Sequence, residues 1–400
     1  MTYQPPKKIL EKYAKVMVNF APWKGKGIKK GDTVLLQVPE CAKPLLIELR
    51  NQVLRSDGYP IIQYLPDDMA QDYYELASDE QITHFPDKYI KGKVDEIDVS
   101  IHVIANTNRY ELKDINPKKL MQKQKSFKPY IEWRNEKENN GKFFWTLCMY
   151  PTQHMANDVN LTLEEYWAEV IKACYLDEED PIKKWQEIES EIERVKTELN
   201  AMSIEKLHVK GEHIDLNVGI GENRQWLGGS GHNIPSFEVF ISPDKYKTQG
   251  KIFFNQPLYS HGNKIQNITL EFKEGKIINS SAEIGEELLK EMIATDGADM
   301  IGEYSLTDSR LSKITQFMGE TLYDENVGGE QGNTHLAIGN AYKDSYTGDQ
   351  SKPTKEEWEE MGFNESVVHT DIISTEKRTV TATLKNGEEK VIYTDGKFTI

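Results

Sequence analysis

The sequence of 400 residues holds only 3 cysteines. Cys41, Cys148 and Cys174 are far apart and lack the close spacing of a thiolate metal site, and an odd, scattered set excludes a disulfide framework. No stretch approaches the run of about 18 apolar residues that a membrane-spanning helix needs. The opening segment, Met1 to Lys8, is polar and contains Pro5 and Pro6, so neither a cleaved leader nor a membrane anchor is expected. These features together lead to the expectation of a soluble cytoplasmic protein, in which Asn160 of the Asn-X-Thr triplet would not be glycosylated.

Positive charge is also in short supply. Lys and Arg number 49 against 65 Asp and Glu, a net charge of -16, and a phosphate backbone requires a basic surface, so a nucleic-acid partner is excluded. Gly219-Ile220-Gly221 lacks the third glycine of a dinucleotide fingerprint, and no Gly-Lys-Ser/Thr follows to cradle phosphate. Gly228-Gly229-Ser230-Gly231-His232 has histidine where a nucleophile elbow needs glycine. These glycines are read as a turn, with His232 either lining the cleft or tying down that loop. No repeat or low-complexity tract is visible. His84, His102, His154, His208, His213 and His261 carry no motif.

What the chain does contain is an alternation of helical and strand patterns in its first half. Leu10, Tyr13, Met17 and Phe20 fall at helical spacing, and residues 33–38, 60–65, 94–104 and 143–149 read as strands, with helices over 42–55 and 116–125 between them. That order implies an α/β domain with a largely parallel sheet. Trp185, Ile188, Ile192, Val195 and Leu199 then alternate in steps of three and four within residues 181–202. This is a long amphipathic helix that suits packing between domains, with a coiled-coil seam as the alternative. After it the sequence turns to short β runs, with hairpin signals at Lys273 to Lys276 and at Asn386-Gly387, and one helix over 282–294. A chain of this length exceeds the size of one core. We therefore expect an α/β domain over 1–200 and an α+β, strand-rich domain over 201–400.

The second half gathers ionisable residues into apolar settings. Glu238 lies in Ser-Phe-Glu-Val-Phe-Ile, Glu303 in Ile-Gly-Glu-Tyr-Ser-Leu, Glu330 five residues before His335, and His369 two residues before Asp371 within Val-Val-His-Thr-Asp-Ile-Ile. A buried carboxylate costs several kcal/mol unless it is paired or coordinates a cation. Period-two alternation puts His369 and Asp371 on one side of a strand. Imidazole and carboxylate suit zinc, cobalt or manganese. A salt-bridged pair on a half-exposed strand remains the alternative, because His213 and Asp215 repeat the spacing in residues 213–218 without such company.

These residues resemble the metallo-aminopeptidases typified by aminopeptidases T and S. The likeness runs from Glu11-Lys12-Tyr13-Ala14 and Lys30-Gly31-Asp32-Thr33-Val34 through Asn233-Ile234-Pro235, Glu238-Val239-Phe240 and Gly302-Glu303. It continues to His335-Leu336-Ala337-Ile338-Gly339, Tyr342 and His369-Thr370-Asp371. The resemblance implies that Glu238, Glu303, Glu330, His335, His369 and Asp371 hold a dinuclear centre of two divalent ions (zinc, cobalt, manganese or magnesium), with Tyr342 as the active-site tyrosine. Phe237, where many members have glycine, and the polar run Gln331-Gly332-Asn333-Thr334 depart from the pattern and bear on pocket shape.

The activity so implied is release of the amino-terminal residue from short peptides by a hydroxide that two cations generate near neutral pH. Glu303 is the first candidate to assist proton transfer and Glu330 the second, while Tyr342 would donate to the oxyanion. The resemblance also implies a homodimer. Another dinuclear hydrolase, such as a phosphoesterase or deacetylase, and an inactive metal-retaining binding protein are the competing readings.

Overall fold

The computed structural model describes residues 3–260 and 263–400, so His261 lies outside the described residues. The described chain forms two compact units. One runs to Gln186 and includes Ser230–Ile234; the other takes Glu187–Gly229 and Pro235–Ile400. The division thus falls within the long helix rather than after it.

Four strands build the sheet of the first unit: β1 (Thr33–Pro39), β2 (Tyr59–Leu65), β3 (Val99–Ile104) and β4 (Phe144–Met149), in the order β2-β1-β3-β4. Every neighbouring pair is parallel. Val34, Leu36, Ile101 and Val103 are buried on the central strands, and the helix Lys7–Asn19 buries Leu10, Tyr13 and Met17. Helix Lys43–Arg55 links β1 to β2, as the alternation predicts. One expected strand is shorter than its apolar pattern. Residues 94–96 complete the helix Asp87–Glu96, because Ile90 and Val94 are four apart and both buried. The helix Pro117–Ser126 starts where the Asn116 side chain accepts from Lys118 N at 2.9 Å.

The second unit is rich in strands, with β5 (Ile204–Gly211), β6 (Asp215–Gly219), β7 (Glu238–Ile241), β8 (Thr248–Phe254), β9 (Leu258–Ser260) and β10 (Asn263–Ile265). There follow β11 (Ile268–Lys273), β12 (Lys276–Ser281), β13 (Ile301–Thr307), β14 (Asn333–Gly339), β15 (His369–Ser374), β16 (Arg378–Leu384), β17 (Glu389–Thr394) and β18 (Lys397–Phe398). An 8-stranded sheet runs β12-β11-β8-β6-β5-β16-β17-β18, and a 4-stranded sheet runs β15-β14-β13-β7. The hairpin signals are met by β11–β12 and β16–β17. The helix expected over 282–294 is the shorter Glu286–Ile293, since Ser281 still belongs to β12 and Gly285 enters at φ 77.

Helix Pro181–Ala201 matches the amphipathic pattern. Trp185, Ile188, Ile192, Val195 and Leu199 are all buried within this single chain, so the apolar stripe is already covered. Ile192 approaches Gly228 and Gly229, where a β-carbon on Gly228 would stand 2.3 Å from the Glu238 carbonyl. We expect Ile192→Ala to lower the unfolding free energy by about 2 to 5 kcal/mol in a urea titration. Glu193→Ala, on the exposed face, should change it by less than about 0.5 kcal/mol.

Candidate metal centre

The 4-stranded sheet places its ionisable side chains by register alone. Ser305 on β13 lies opposite His335 on β14, Glu303 opposite Ala337, Ala337 opposite Asp371 on β15, and Gly339 opposite His369. Glu238 on β7 is paired with Thr307. Residues directly across a ladder, and residues two apart along a strand, share a face. Glu238, Glu303, His335, His369 and Asp371 therefore converge on one side of one sheet. Ala337, Ser305 and Gly339 leave room between them.

The distances bear this out. His335 Nε2 lies 2.9 Å from Glu303 Oε1, 3.3 Å from Glu238 Oε2 and 3.9 Å from Asp371 Oδ1. His369 Nε2 lies 3.3 Å from Asp371 Oδ1 and 3.7 Å from Glu303 Oε2. Ligand atoms of Glu238, Glu303 and His335, and again of Glu303, His369 and Asp371, fall within 4.8 Å of one another. Glu303 belongs to both triads and turns a different oxygen to each histidine. His369 donates through Nδ1 to the Asn340 carbonyl at 2.7 Å, which fixes the tautomer and leaves Nε2 free to ligate.

Glu330 is not among these groups. It sits exposed in the turn before β14, whereas Glu325, which the sequence reading passed over, is buried and interacts with Glu238, Asp371, His335 and Glu303. The physical cause is the glycine-rich turn that follows Glu325 and contains Glu330. Gly329 and Gly332 take positive φ, and a β-carbon on Gly332 would meet Tyr393 Oη at 2.1 Å and the Thr307 carbonyl at 2.4 Å. The turn tip carries Glu330 outward, and Glu325 just after the helical turn Thr321–Asp324 points in. Its sequence signal was the acidic pair Asp324-Glu325 directly following the apolar Leu322 and Tyr323.

The electrostatics state what the cluster needs. Burial raises the Glu303 carboxyl to about 7, with Glu238 and Asp371 adding to the rise and His335 opposing it. Burial likewise pushes Glu325 far up, and the neighbouring acids push it further. Asp371 is held down at about 2: burial would raise it, but the His369 charge and hydrogen bond prevail. His369 is raised to about 9, since Asp371 and Glu303 outweigh the effect of burial. Among the described residues, Glu238, Glu303 and Asp371 form ion pairs with His335 and His369 and with no lysine or arginine. Acids this crowded are stable only with compensating positive charge, and an oxygen and imidazole donor set fits divalent ions.

Tyr342 follows β14, and Phe240 and His369 flank it, with ring centroids 5.8 and 4.8 Å away. Its backbone N–H donates to Ser242 Oγ at 2.9 Å. Tyr342 as a residue is 45% exposed. Burial of the hydroxyl, followed by Glu303, Asp371, Glu325 and Glu238, holds the phenol well above its usual value, so it remains a protonated donor.

The look-alike pair does not assemble. His213 lies in the turn before β6 and meets Glu376 Oε1 at 2.8 Å. Asp215 instead pairs with His208 at 2.8 Å and with Lys210. His213 does share an exposed group with Glu212 and Glu376. His232 belongs to the first unit, where it stacks on Phe144 and Trp145 at 4.3 and 4.4 Å.

We expect His369→Ala or Asp371→Ala to remove at least one metal equivalent by atomic emission, and Glu325→Gln to lower metal content where Glu330→Gln does not. His213→Ala and Asp215→Ala should retain the full complement. Loss from the Glu330 variant alone would reverse the assignment of the turn.

Comparison with known proteins gives a consistent result. Residues 6–398 match the family described as thermophilic metalloprotease (M29). Aminopeptidase AmpS of Bacillus subtilis is 28% identical over 358 residues, covering 84% of this chain and 86% of the relative. Aminopeptidase T of Thermus thermophilus is 27% identical over 421 residues, covering 98% and 99%. The solved structure of wild-type AmpT from Thermus thermophilus superposes with a TM-score of 0.85 at 23% identity, covering 98% of this chain and 100% of the other, which establishes a shared fold.

Proposed function

The chain belongs to the thermophilic metalloprotease (M29) family and is a peptide hydrolase; from that premise we propose that it is an aminopeptidase using two divalent ions held by Glu238, Glu303, Glu325, His335, His369 and Asp371. The observation that carries this reading is the sharing of Glu303 by two ligand triads on one sheet face. When bound, such ions supply Lewis acidity and lower the pKa of water to about 7.

The residues of the chain supply the rest. Glu303 stands between the two triads with one oxygen toward each histidine, and is the first candidate to accept a proton in the cleft. Glu330, exposed on its turn, has no such part. Tyr342 keeps its proton and donates it as a hydrogen bond to the carbonyl oxygen as negative charge develops there. The acidic cleft favours the free α-amino group of a peptide.

Two arginines bear on the choice among hydrolases. Arg224 donates to the carbonyls of Ser242, Glu222 and Met361 at 2.8, 2.8 and 2.7 Å. Arg310 is paired with Asp308. Both are occupied by the fold, which leaves neither to receive a phosphoryl group. Among the described residues no helix is long and apolar enough to cross a membrane. The protein acts on short peptides in the cytoplasm as a homodimer; sedimentation as a 46.0 kDa species at micromolar concentration would refute the dimer.

Chelation should abolish cleavage of aminoacyl chromogenic amides, and added cobalt, zinc or manganese should restore it, while phosphoesters stay intact throughout. Full turnover by thoroughly demetallated protein would end this reading. Tyr342→Phe should reduce kcat by about 10² to 10³ with metal occupancy and KM nearly unchanged. A loss confined to thermal stability, of roughly 1 kcal/mol, would instead make the hydroxyl a packing contact.

A further inference from the structure

Asn326 is completely buried and touches both sides of the carboxylate cluster. Its Oδ1 accepts from the backbone N–H of Phe237, the residue before Glu238, at 2.6 Å. Its Nδ2 donates to the Leu322 carbonyl at 3.0 Å and stands 3.4 Å from Glu325 Oε1. Its own carbonyl accepts from Ser312 Oγ. The neighbouring Glu325 carbonyl is gripped by Asn333 Nδ2 at 3.0 Å and Thr307 Oγ1 at 3.3 Å. One primary amide thus joins the strand entry that aims Glu238 to the turn that carries Glu325.

We propose that Asn326 is a positioning residue that sets Glu325 against Glu238 so that the two acids can serve the same metal centre; this rests on the metal-binding reading above. The argument is one of chemical type. Glu325 is surrounded by Glu238, Asp371 and Glu303, which repel it. Asn326 Nδ2 sets a donor 3.4 Å from Glu325 Oε1, and a planar amide offers donor and acceptor in a fixed relation. Aspartate would keep an acceptor for Phe237 but set a second oxygen against Glu325 and the Leu322 carbonyl. Alanine would remove the side-chain acceptor that Phe237 N–H meets at 2.6 Å and the donor beside Glu325. In either case the effect on metal would be transmitted through the orientation of Glu325, since Asn326 itself offers the cluster no ligand.

The test is cobalt(II) titration of the demetallated full-length protein, followed by calorimetry, on wild type, Asn326→Asp, Asn326→Ala, Glu325→Gln and the Asn326→Asp/Glu325→Gln double variant. Each Asn326 variant should bind the ion or ions that depend on Glu325 about 10- to 100-fold more weakly, the usual cost of losing an orienting partner. The double variant should bind no worse than Glu325→Gln alone, because both changes break one linkage. Melting of the metal-free Asn326→Asp protein close to wild type separates this from general loosening, and it decides the matter if the alanine variant does not fold. Wild-type affinity in the aspartate variant, or losses that multiply in the double variant, would overturn the proposal alone. Failure of wild type to bind cobalt would overturn the metal reading and this proposal with it.

Discussion

Everything in the second unit is arranged around mutual repulsion of carboxylates that have been withdrawn from water. Glu238, Glu303, Glu325 and Asp371 are buried or nearly so, and each raises the proton affinity of the Glu303–Glu325 pair or is itself held down by histidine. In a low-dielectric interior such repulsion would ordinarily break a sheet apart. The ladder β15-β14-β13-β7 resists it because its backbone hydrogen bonds fix strand spacing whatever the side chains prefer. The sheet supplies rigidity; the charges supply an unmet demand for cations. Two divalent ions would match four carboxylates in charge, so the number of acids and the number of proposed ions answer one another.

How much of this was legible in the sequence depends on how local the determinant was. Glu303, His335, His369 and Asp371 sit in strands whose apolar neighbours betray the period of two, and the strands place them on one face without further information. Glu325 was hidden. Its position depends on a turn whose shape is set by contacts to Thr307 and Tyr393, far away in the sequence. Glu330, which the resemblance implies as a ligand, lies exposed on that turn, and spacing along a chain measures spacing in space only within regular structure. The first unit shows the same limit on a smaller scale, where the apolar run 94–104 reads as one strand but burial splits it between a helix end and β3. Asn326 had no sequence signal at all, because its partners are a backbone N–H and a backbone carbonyl.

Around Tyr342, polar side chains spend their hydrogen bonds on main chain. Ser242 receives the Tyr342 N–H, while Ser345 Oγ accepts from the Ser242 N–H at 3.0 Å and donates to the Gln225 carbonyl at 3.2 Å. Arg224 closes the same region from behind and lies 3.5 Å over the Phe363 ring. Fixing the backbone in this way holds Tyr342 in place without adding another charge to an already crowded field. The Tyr342 hydroxyl near the acids is that of a phenol that keeps its proton, while the Ser236 and Ser305 hydroxyls each lie 3.5 Å from a Glu238 oxygen.

The close approach of Gly332 and Tyr393 also ties the turn to a strand that comes later in the sequence. Tyr393 Oη donates to the Thr307 carbonyl at 2.9 Å and reaches the Gln331 carbonyl at 3.3 Å, so β17 forms the floor on which the turn after Glu325 rests. β16 and β17 lie downstream of every proposed ligand, and β16 reaches its place by pairing with β5. A chain cut before β17 would therefore keep every proposed ligand and lose the floor beneath their turn.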